Sequence, residues 1–121
     1  MTIQSLPYPF TVCKLNNVTD LAVDSKFAFT AVTDEEISLL CITSDVPDNT
    51  LVREDGWRGL RIEGTLDFSL LGILSKISSV LAENKIGIFA VSTYNTDYVF
   101  VKESDFSKAL SALAENGYEV R

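Results

Sequence analysis

Hydrophobic and polar positions in the second half of the chain alternate with two different periods. The segment WRGLRIEG alternates apolar and polar residues, as a strand with one buried face does. The segment TLDFSLLGILSKISSVLAENK has helical spacing, with Asp67 or Ser69 as its N-cap and Asn84 near its end. A second helix is predicted to begin at Ser104 and to end at Asn116–Gly117.

Three further segments of this half have strand character. The near-continuous apolar run IGIFAVST predicts a strand buried on both faces, DYVFVK is predicted to pair back with it, and YEV is the last strand. The tetrapeptide LAEN closes both predicted helices, as an internal repeat would require. The predicted fold class is therefore α+β, with the ferredoxin-like order β-α-β-β-α-β.

The first half of the chain is predicted to be rich in strands. FTVCKL, KFAFTAV and ISLLCI have strand composition, and TDEE at Thr33–Glu36 predicts a turn between the last two. NNVTDLAVDS is too short and too weakly patterned for a full helix. TSDVPDNTLVREDG, with Pro47 and Gly56, predicts a turn or a short strand. These strands are expected to extend or flank the C-terminal sheet.

The charge of the chain excludes several classes of partner. A net charge of −7 argues against binding to nucleic acid or to an anionic membrane surface. No apolar run approaches the ~20 residues of a membrane span, and the first residues lack the features of a signal peptide, so a cytoplasmic location is expected. Cys13 and Cys41 are expected to be reduced and to pack as small hydrophobes, although a disulfide is not excluded.

Catalytic chemistry finds little support. The chain has no histidine, which removes the commonest general base and metal ligand. Phosphate-binding glycine motifs are missing, and the paired carboxylates Glu35–Glu36 and Glu54–Asp55 lie in polar segments. We therefore expect no catalytic residue, no metal and no cofactor, and a protein that is not an enzyme.

A binding site is predicted at one end of the sheet. In a β-α-β-β-α-β unit the loop EGTLDFSLLG should lie beside the turn STYNTD. A helix start favours a carboxylate, and Asp97 or Asp67 can receive an ammonium. Ser92, Thr93 and Tyr94 add hydroxyl groups. Together these groups suit a free α-amino acid.

The same residues also have purely structural interpretations. Asp67 is a good N-cap, and Asn95, Thr96 and Asp97 are common turn formers. Gly72 inside a helix costs roughly 1 kcal/mol relative to alanine, which indicates a close neighbour. The residues alone are compatible both with a ligand-binding site and with a purely structural turn.

A resemblance favours the site. The run LDFSLLGILSKISSVLAENKIGIFAVSTYNTDYVFVKESDFSKALSALAENGYEV resembles the ACT domain, a regulatory fold that binds small molecules. It is similar to short stand-alone bacterial ACT proteins, which are related to aspartate kinase regulatory domains and CASTOR-type arginine sensors. The resemblance implies an ACT domain at 57–121 and a degenerate ACT-like half at 1–56.

The resemblance also implies where a ligand binds. ACT effectors lie at interfaces between ACT units, so a homodimer is implied. The matching positions are Gly64, Asp67, Phe68, Ser69, Leu70, Thr93, Tyr94 and Asp97. Thr93 and Asp97 are the strongest candidates among them.

The leading hypothesis is a stand-alone ACT-type regulatory module that binds a free amino acid. The alternative is a non-catalytic protein-interaction module that has kept the fold without the ligand. An RNA-recognition motif has the same element order, with Phe89 and Phe100 as possible stacking rings, but its flanking basic residues are missing. The sequence does not identify the amino acid or the downstream partner.

Overall fold

A computed structural model of the chain describes residues 1–21, 24–63 and 72–121. Contacts divide the chain into an N-terminal unit, Tyr8–Trp57, and a C-terminal unit that combines Met1–Pro7 with Arg58–Arg121. The first residues therefore pack with the second half of the chain. The assignment of 1–56 and 57–121 to two ACT-like halves stays a prediction.

The described residues form strands, two α-helices and short 3₁₀ turns. The strands are β1 (Thr2–Leu15), β2 (Ala28–Val32), β3 (Ile37–Ile42), β4 (Thr50–Ile62), β5 (Ile88–Ser92), β6 (Asp97–Lys102) and β7 (Glu119–Val120). The helices are α1 (Ile73–Glu83) and α2 (Phe106–Glu115), and the 3₁₀ turns are Val18–Leu21, Thr43–Asp45 and Glu103–Asp105. From β4 onward the order is β-α-β-β-α-β, which confirms the predicted α+β, ferredoxin-like fold class.

In the C-terminal unit the strands lie in the order β7-β1-β4-β6-β5. The N-terminal strand β1 is thus placed between the last strand and β4. It pairs in parallel with β7, where Thr2 faces Glu119 and Ile3 faces Val120. On its other side, the backbone N–H of Glu63 donates to the Thr2 carbonyl at 3.0 Å.

The core of the C-terminal unit lies between this sheet and the helices. Leu60 and Ile62 of β4 are both buried, which confirms the face predicted from their alternation. The helical spacing of apolar residues likewise puts one stripe of each helix into the core. The buried cluster consists of Ile3, Leu60, Ile62, Ile77, Leu81, Ile86, Val99, Val101, Ala109 and Leu113.

The two LAEN segments end their helices in the same way. Each asparagine side chain donates to the carbonyl four residues earlier, at 2.8 Å from Asn84 and 2.7 Å from Asn116. The next residue takes the left-handed conformation, Lys85 with φ of 61° and Gly117 with φ of 92°. Glycine adopts this conformation without the steric cost that a side chain brings.

Both predicted helix starts are wrong. Helix α1 begins at Ile73, because Gly72 has φ of 77° and this left-handed conformation cannot be part of a right-handed helix. Gly72 therefore lies before the helix and not inside it, while Asp67 and Ser69 lie outside the described residues. Helix α2 begins at Phe106, because Ser104 is part of a 3₁₀ turn that precedes it.

The prediction that the IGIFAVST strand is buried on both faces is also wrong. Strand β5 lies at the edge of the sheet and pairs with β6. Ala90 and Ser92 are exposed, whereas Val99, Phe100 and Val101 of β6 are buried. The central position therefore belongs to β6.

The N-terminal unit has the strand order β2-β3-β1-β4 and confirms the three strands and the turn predicted for this half. Its small core contains the buried free thiols of Cys13 and Cys41 beside Leu15 and Leu39. The polar segment before Trp57 forms more strand than its composition indicated, since β4 begins at Thr50.

A buried hydroxyl explains part of this polarity. Thr11 is fully buried and donates to Asp55 Oδ1 at 2.6 Å, and Arg53 contacts the same carboxylate oxygen at 2.9 Å. These hydrogen bonds, first from Thr11 and then from Arg53, lower the pKa of the Asp55 carboxyl.

The hairpins β2–β3 and β5–β6 have the same geometry, displaced by 60 positions. Val32 pairs with Ile37 in the first hairpin and Ser92 pairs with Asp97 in the second. Each hairpin is followed by a 3₁₀ turn of three residues. The sequences of the two hairpins share few residues, so the matching geometry is established by the structure.

Candidate functional site

The turn between β5 and β6 is closed by threonine hydrogen bonds. The backbone N–H of Thr93 donates to the Thr96 carbonyl at 2.9 Å, and the Thr93 hydroxyl donates to the same oxygen at 3.0 Å. The Thr93 hydroxyl also accepts from the Thr96 N–H at 3.4 Å. The Thr93 side chain is therefore used to shape the turn, as Ser and Thr commonly are.

Thr96 fixes the position of this turn in the fold. Its side chain is buried, with 6% of its surface exposed, and its hydroxyl donates to the Ile62 carbonyl at 2.7 Å. Ile62 is the last residue of β4. The turn is therefore held against the end of the strand from which the loop toward α1 departs.

Asp97 and Tyr94 differ in how firmly they are held. The Ser92 hydroxyl donates to Asp97 Oδ1 at 2.6 Å, and these two residues form the strand pair next to the turn. Tyr94 lies at the tip of the turn with 81% of its surface exposed. The carboxylate is thus oriented and half-buried, whereas the tyrosine extends into solvent.

The predicted loop residues cannot be compared with this turn. Glu63 is described, but Gly64, Asp67, Phe68, Ser69 and Leu70 lie outside the described residues. The part of the prediction that has a geometry is therefore the turn and its contact with β4. The assignment of all eight residues to a ligand site remains a prediction.

A second feature lies at the start of α1. A cavity of about 600 Å³, partly open to solvent, lies in the C-terminal unit. Its lining residues are Met1, Gly72, Ile73, Ser75, Lys76, Val80, Asn116, Gly117 and Tyr118. They come from the residue before β1, from Gly72 and the first three-quarters of α1, and from the connection between α2 and β7. None of them was among the predicted site residues.

The described part of the chain shows neither a metal-binding cluster nor a membrane-spanning helix. There, no group of three or more Cys, Asp or Glu side chains is placed to hold a metal ion. Within residues 1–21, 24–63 and 72–121, no helix has the length and apolar character needed to cross a membrane.

Comparison with known families identifies the chain. The sequence model of the ACT domain family matches residues 52–115, which is more than half of the chain. The protein therefore belongs to the ACT domain family, as its resemblance indicated. No curated protein matches it.

Solved structures agree with this family. The chain is similar to a protein from Agobacterium tumefaciens with 27% identity and a TM-score of 0.88, over 99% of this chain and 91% of that one. The regulatory subunit of aspartate kinase from Thermus thermophilus, in a ligand-free form, has 8% identity and a TM-score of 0.66, with 97% and 98% covered. Aspartate kinase from Synechocystis has 15% identity and a TM-score of 0.70, and 99% of this chain covers 27% of that enzyme. The last two likenesses concern the fold alone.

Proposed function

We propose that this protein is a stand-alone ACT-type regulatory module that binds a free amino acid at an interface between two copies. The observation that carries the proposal is the oriented carboxylate of Asp97, at a turn anchored to the end of β4. An ammonium group can replace solvent around such a carboxylate without moving the backbone. Thr93 and Tyr94 lie in the same turn and complete the described part of the site.

The proposal requires no catalytic group. The family match and the likeness to a regulatory subunit support a module that changes state when a ligand binds. Since the described unit exposes Asp97 at one end of β6, a second copy placed against this end would enclose the ligand. A homodimer is therefore part of the proposal.

The direct test is a thermal-shift screen of the purified protein against the twenty amino acids. A ligand at 100 times its Kd stabilises the folded state by about 2.7 kcal/mol, which is a shift of several degrees. Sedimentation with and without the hit then measures whether the ligand-bound form is a dimer. A flat panel at high concentration would reject ligand binding and leave a protein-interaction module as the alternative.

The Asp97→Asn variant tests the site itself. The amide keeps the oxygen that accepts from Ser92 but loses the charge, so the turn should remain intact while affinity falls at least about tenfold. Asp34→Asn is the matched control, because Asp34 lies in the corresponding turn of the other hairpin. Unchanged affinity in Asp97→Asn, with the fold intact, would place the ligand elsewhere.

A further inference from the structure

The cavity beside α1 has the size of a small-molecule site. Its volume of about 600 Å³ lies within the range of roughly 300–1,000 Å³ typical of ligand pockets. The lining residues that the structure describes all belong to the C-terminal unit of a single copy of the chain. Its described lining contains none of Thr93, Tyr94 and Asp97, which are the described residues of the site proposed above.

One wall of the cavity is apolar. Ile73, Val80 and Tyr118 are partly buried and pack with one side against the core cluster, while they line the cavity with the other. The thioether of Met1, which is 55% exposed, adds to this surface. An apolar ligand group placed here would extend the core outward and remove these side chains from water.

The charge of the cavity is opposite to that of the whole protein. Among its described lining residues Lys76 is the one charged side chain, although the chain has a net charge of −7. Lys76 forms no ion pair with any residue that the structure describes. Among the described residues, the ammonium of Lys76 therefore has no counter-ion that would compete with an anionic ligand group.

A ligand ammonium would find fewer partners than a ligand carboxylate. No carboxylate belongs to the described lining. The carbonyls at the end of α2 already accept hydrogen bonds, since Leu113 receives two backbone N–H groups and Ala112 receives the side-chain amide of Asn116. A ligand carboxylate would therefore meet the Lys76 ammonium, whereas a ligand ammonium would meet only neutral groups of the described lining.

We propose that this cavity binds a small carboxylic acid with an apolar body and no amino group. The carboxylate pairs with Lys76, and the apolar body lies against Ile73, Val80 and Tyr118. This inference does not depend on the amino-acid site at Asp97. The module would then bind a second ligand that differs chemically from the amino acid.

Three probes with one carbon skeleton test the proposal: 3-phenylpropanoate, 3-phenylpropanamide and phenylalanine. Calorimetric titration of the full chain should show binding of the acid, with the neutral amide and phenylalanine each about tenfold weaker or worse. Backbone amide NMR shifts should change along Ile73–Val80 and Asn116–Tyr118. Failure of the acid to bind, or binding of phenylalanine alone, would overturn the proposal.

Two pairs of variants locate the binding. Lys76→Gln should weaken the acid about tenfold, whereas Lys108→Gln makes the same charge change on α2 and should not. Ser75→Trp should block the cavity from an exposed helix position, whereas Ser79→Trp, also exposed on α1, should not. Acid binding that survives both Lys76→Gln and Ser75→Trp would contradict the assignment.

The Asp97→Asn variant separates the two proposals. It should leave acid binding unchanged, because Asp97 does not line the cavity. If amino acids fail to bind but the acid binds with the expected dependence on Lys76, the proposed function is wrong and this inference stands. If the reverse is found, the cavity proposal alone is wrong.

Discussion

The hairpins β2–β3 and β5–β6 share one backbone geometry but are followed by different elements. In both, a threonine at the turn accepts from and donates to the residue three positions later, Thr33 with Glu36 and Thr93 with Thr96. In both, a 3₁₀ turn follows the second strand. After that turn the second hairpin leads into α2, whereas the first leads into β4 with no α-helix between.

The chain diverges at a single position. Phe106 has φ of −62° and ψ of −49°, which starts a helix, whereas the corresponding Val46 has φ of −67° and ψ of 130°. Val46 precedes Pro47, and a residue before proline is driven away from the helical region. Pro47 therefore explains why the backbone leaves the helical region at Val46, while the preceding hairpin keeps its geometry.

The largest loss of stability is expected from substitutions in the strand interiors. Phe100 corresponds to Leu40; both are buried, but the Phe100 ring is also stacked on Phe89, with centroids 5.2 Å apart. Phe100→Ala should lower the free energy of unfolding by about 3–5 kcal/mol. Leu40→Ala should cost about 1 kcal/mol less, because no stacked ring is lost with it. Urea unfolding followed by circular dichroism measures both, and a larger loss in Leu40→Ala would contradict the expectation.

The next difference is expected at the last turn residue. Thr96→Val removes the hydroxyl that donates to the Ile62 carbonyl, and should cost roughly 1–3 kcal/mol. Glu36→Thr changes the corresponding exposed residue and should stay within about 0.5 kcal/mol. The same urea titrations give both values. Equal losses would show that the turns are anchored alike.

Alkaline pH should distinguish Cys41 from its counterpart Val101. Burial, with smaller contributions from Cys13 and Asp45, raises the pKa of the Cys41 thiol from 9.0 to about 11. A thiol whose pKa is higher in the folded state contributes stability that is complete below pH 9.0 and is lost as the pH rises toward 11. Titration of the Cys41 thiol should therefore lower the free energy of unfolding by about 1 kcal/mol between pH 8 and 10.

Cys41→Val is the control for that pH dependence. It places the residue found at the corresponding position of β6 and removes the ionisable group. The variant should lose about 1 kcal/mol less than the native chain over the same pH range. An unchanged pH profile would show that Cys41 is not the responsible group.

The smallest difference is expected between the two turn threonines. Thr33→Val and Thr93→Val each remove one hydroxyl that bonds within its own turn. Each should lower the unfolding free energy by about 0.5–1 kcal/mol. Thermal unfolding of both variants should give equal shifts if the turns are equivalent, and a large excess in either would end that equivalence.

Local signals in the sequence predicted what local forces determine. The apolar spacing located both helices, and the LAEN segments located their ends, because these interactions lie within a few residues. The start of α1 was missed because Gly72 is tolerated inside helices, and nothing in the sequence reveals its φ of 77°. The burial of β5 was misjudged because an apolar strand at an edge and one at the centre have the same composition.

Long-range pairing explains what remained hidden. Ile3 and Leu6 are core residues of β1, but Pro7 and Pro9 argue against a strand. The turn with Thr93 and Asp97 attracted attention because it interrupts two apolar segments, and its assignment to a ligand site stays a prediction. Lys76 and Asn116 were missed because each is an ordinary helix residue in sequence, and only packing brings them to one cavity.

The position of β1 between β7 and β4 has a consequence for the order of folding. Thr2 bonds to Glu119, a residue 117 positions later, so this pairing joins two segments that are far apart in the sequence. Contacts of such long range close large loops and slow the folding of a domain. Until then one edge of β1 is open to other strands, and a nascent chain is most exposed to mispairing there. Folding of the C-terminal unit is therefore complete only when the segment around Thr2 and the segment around Glu119 have met.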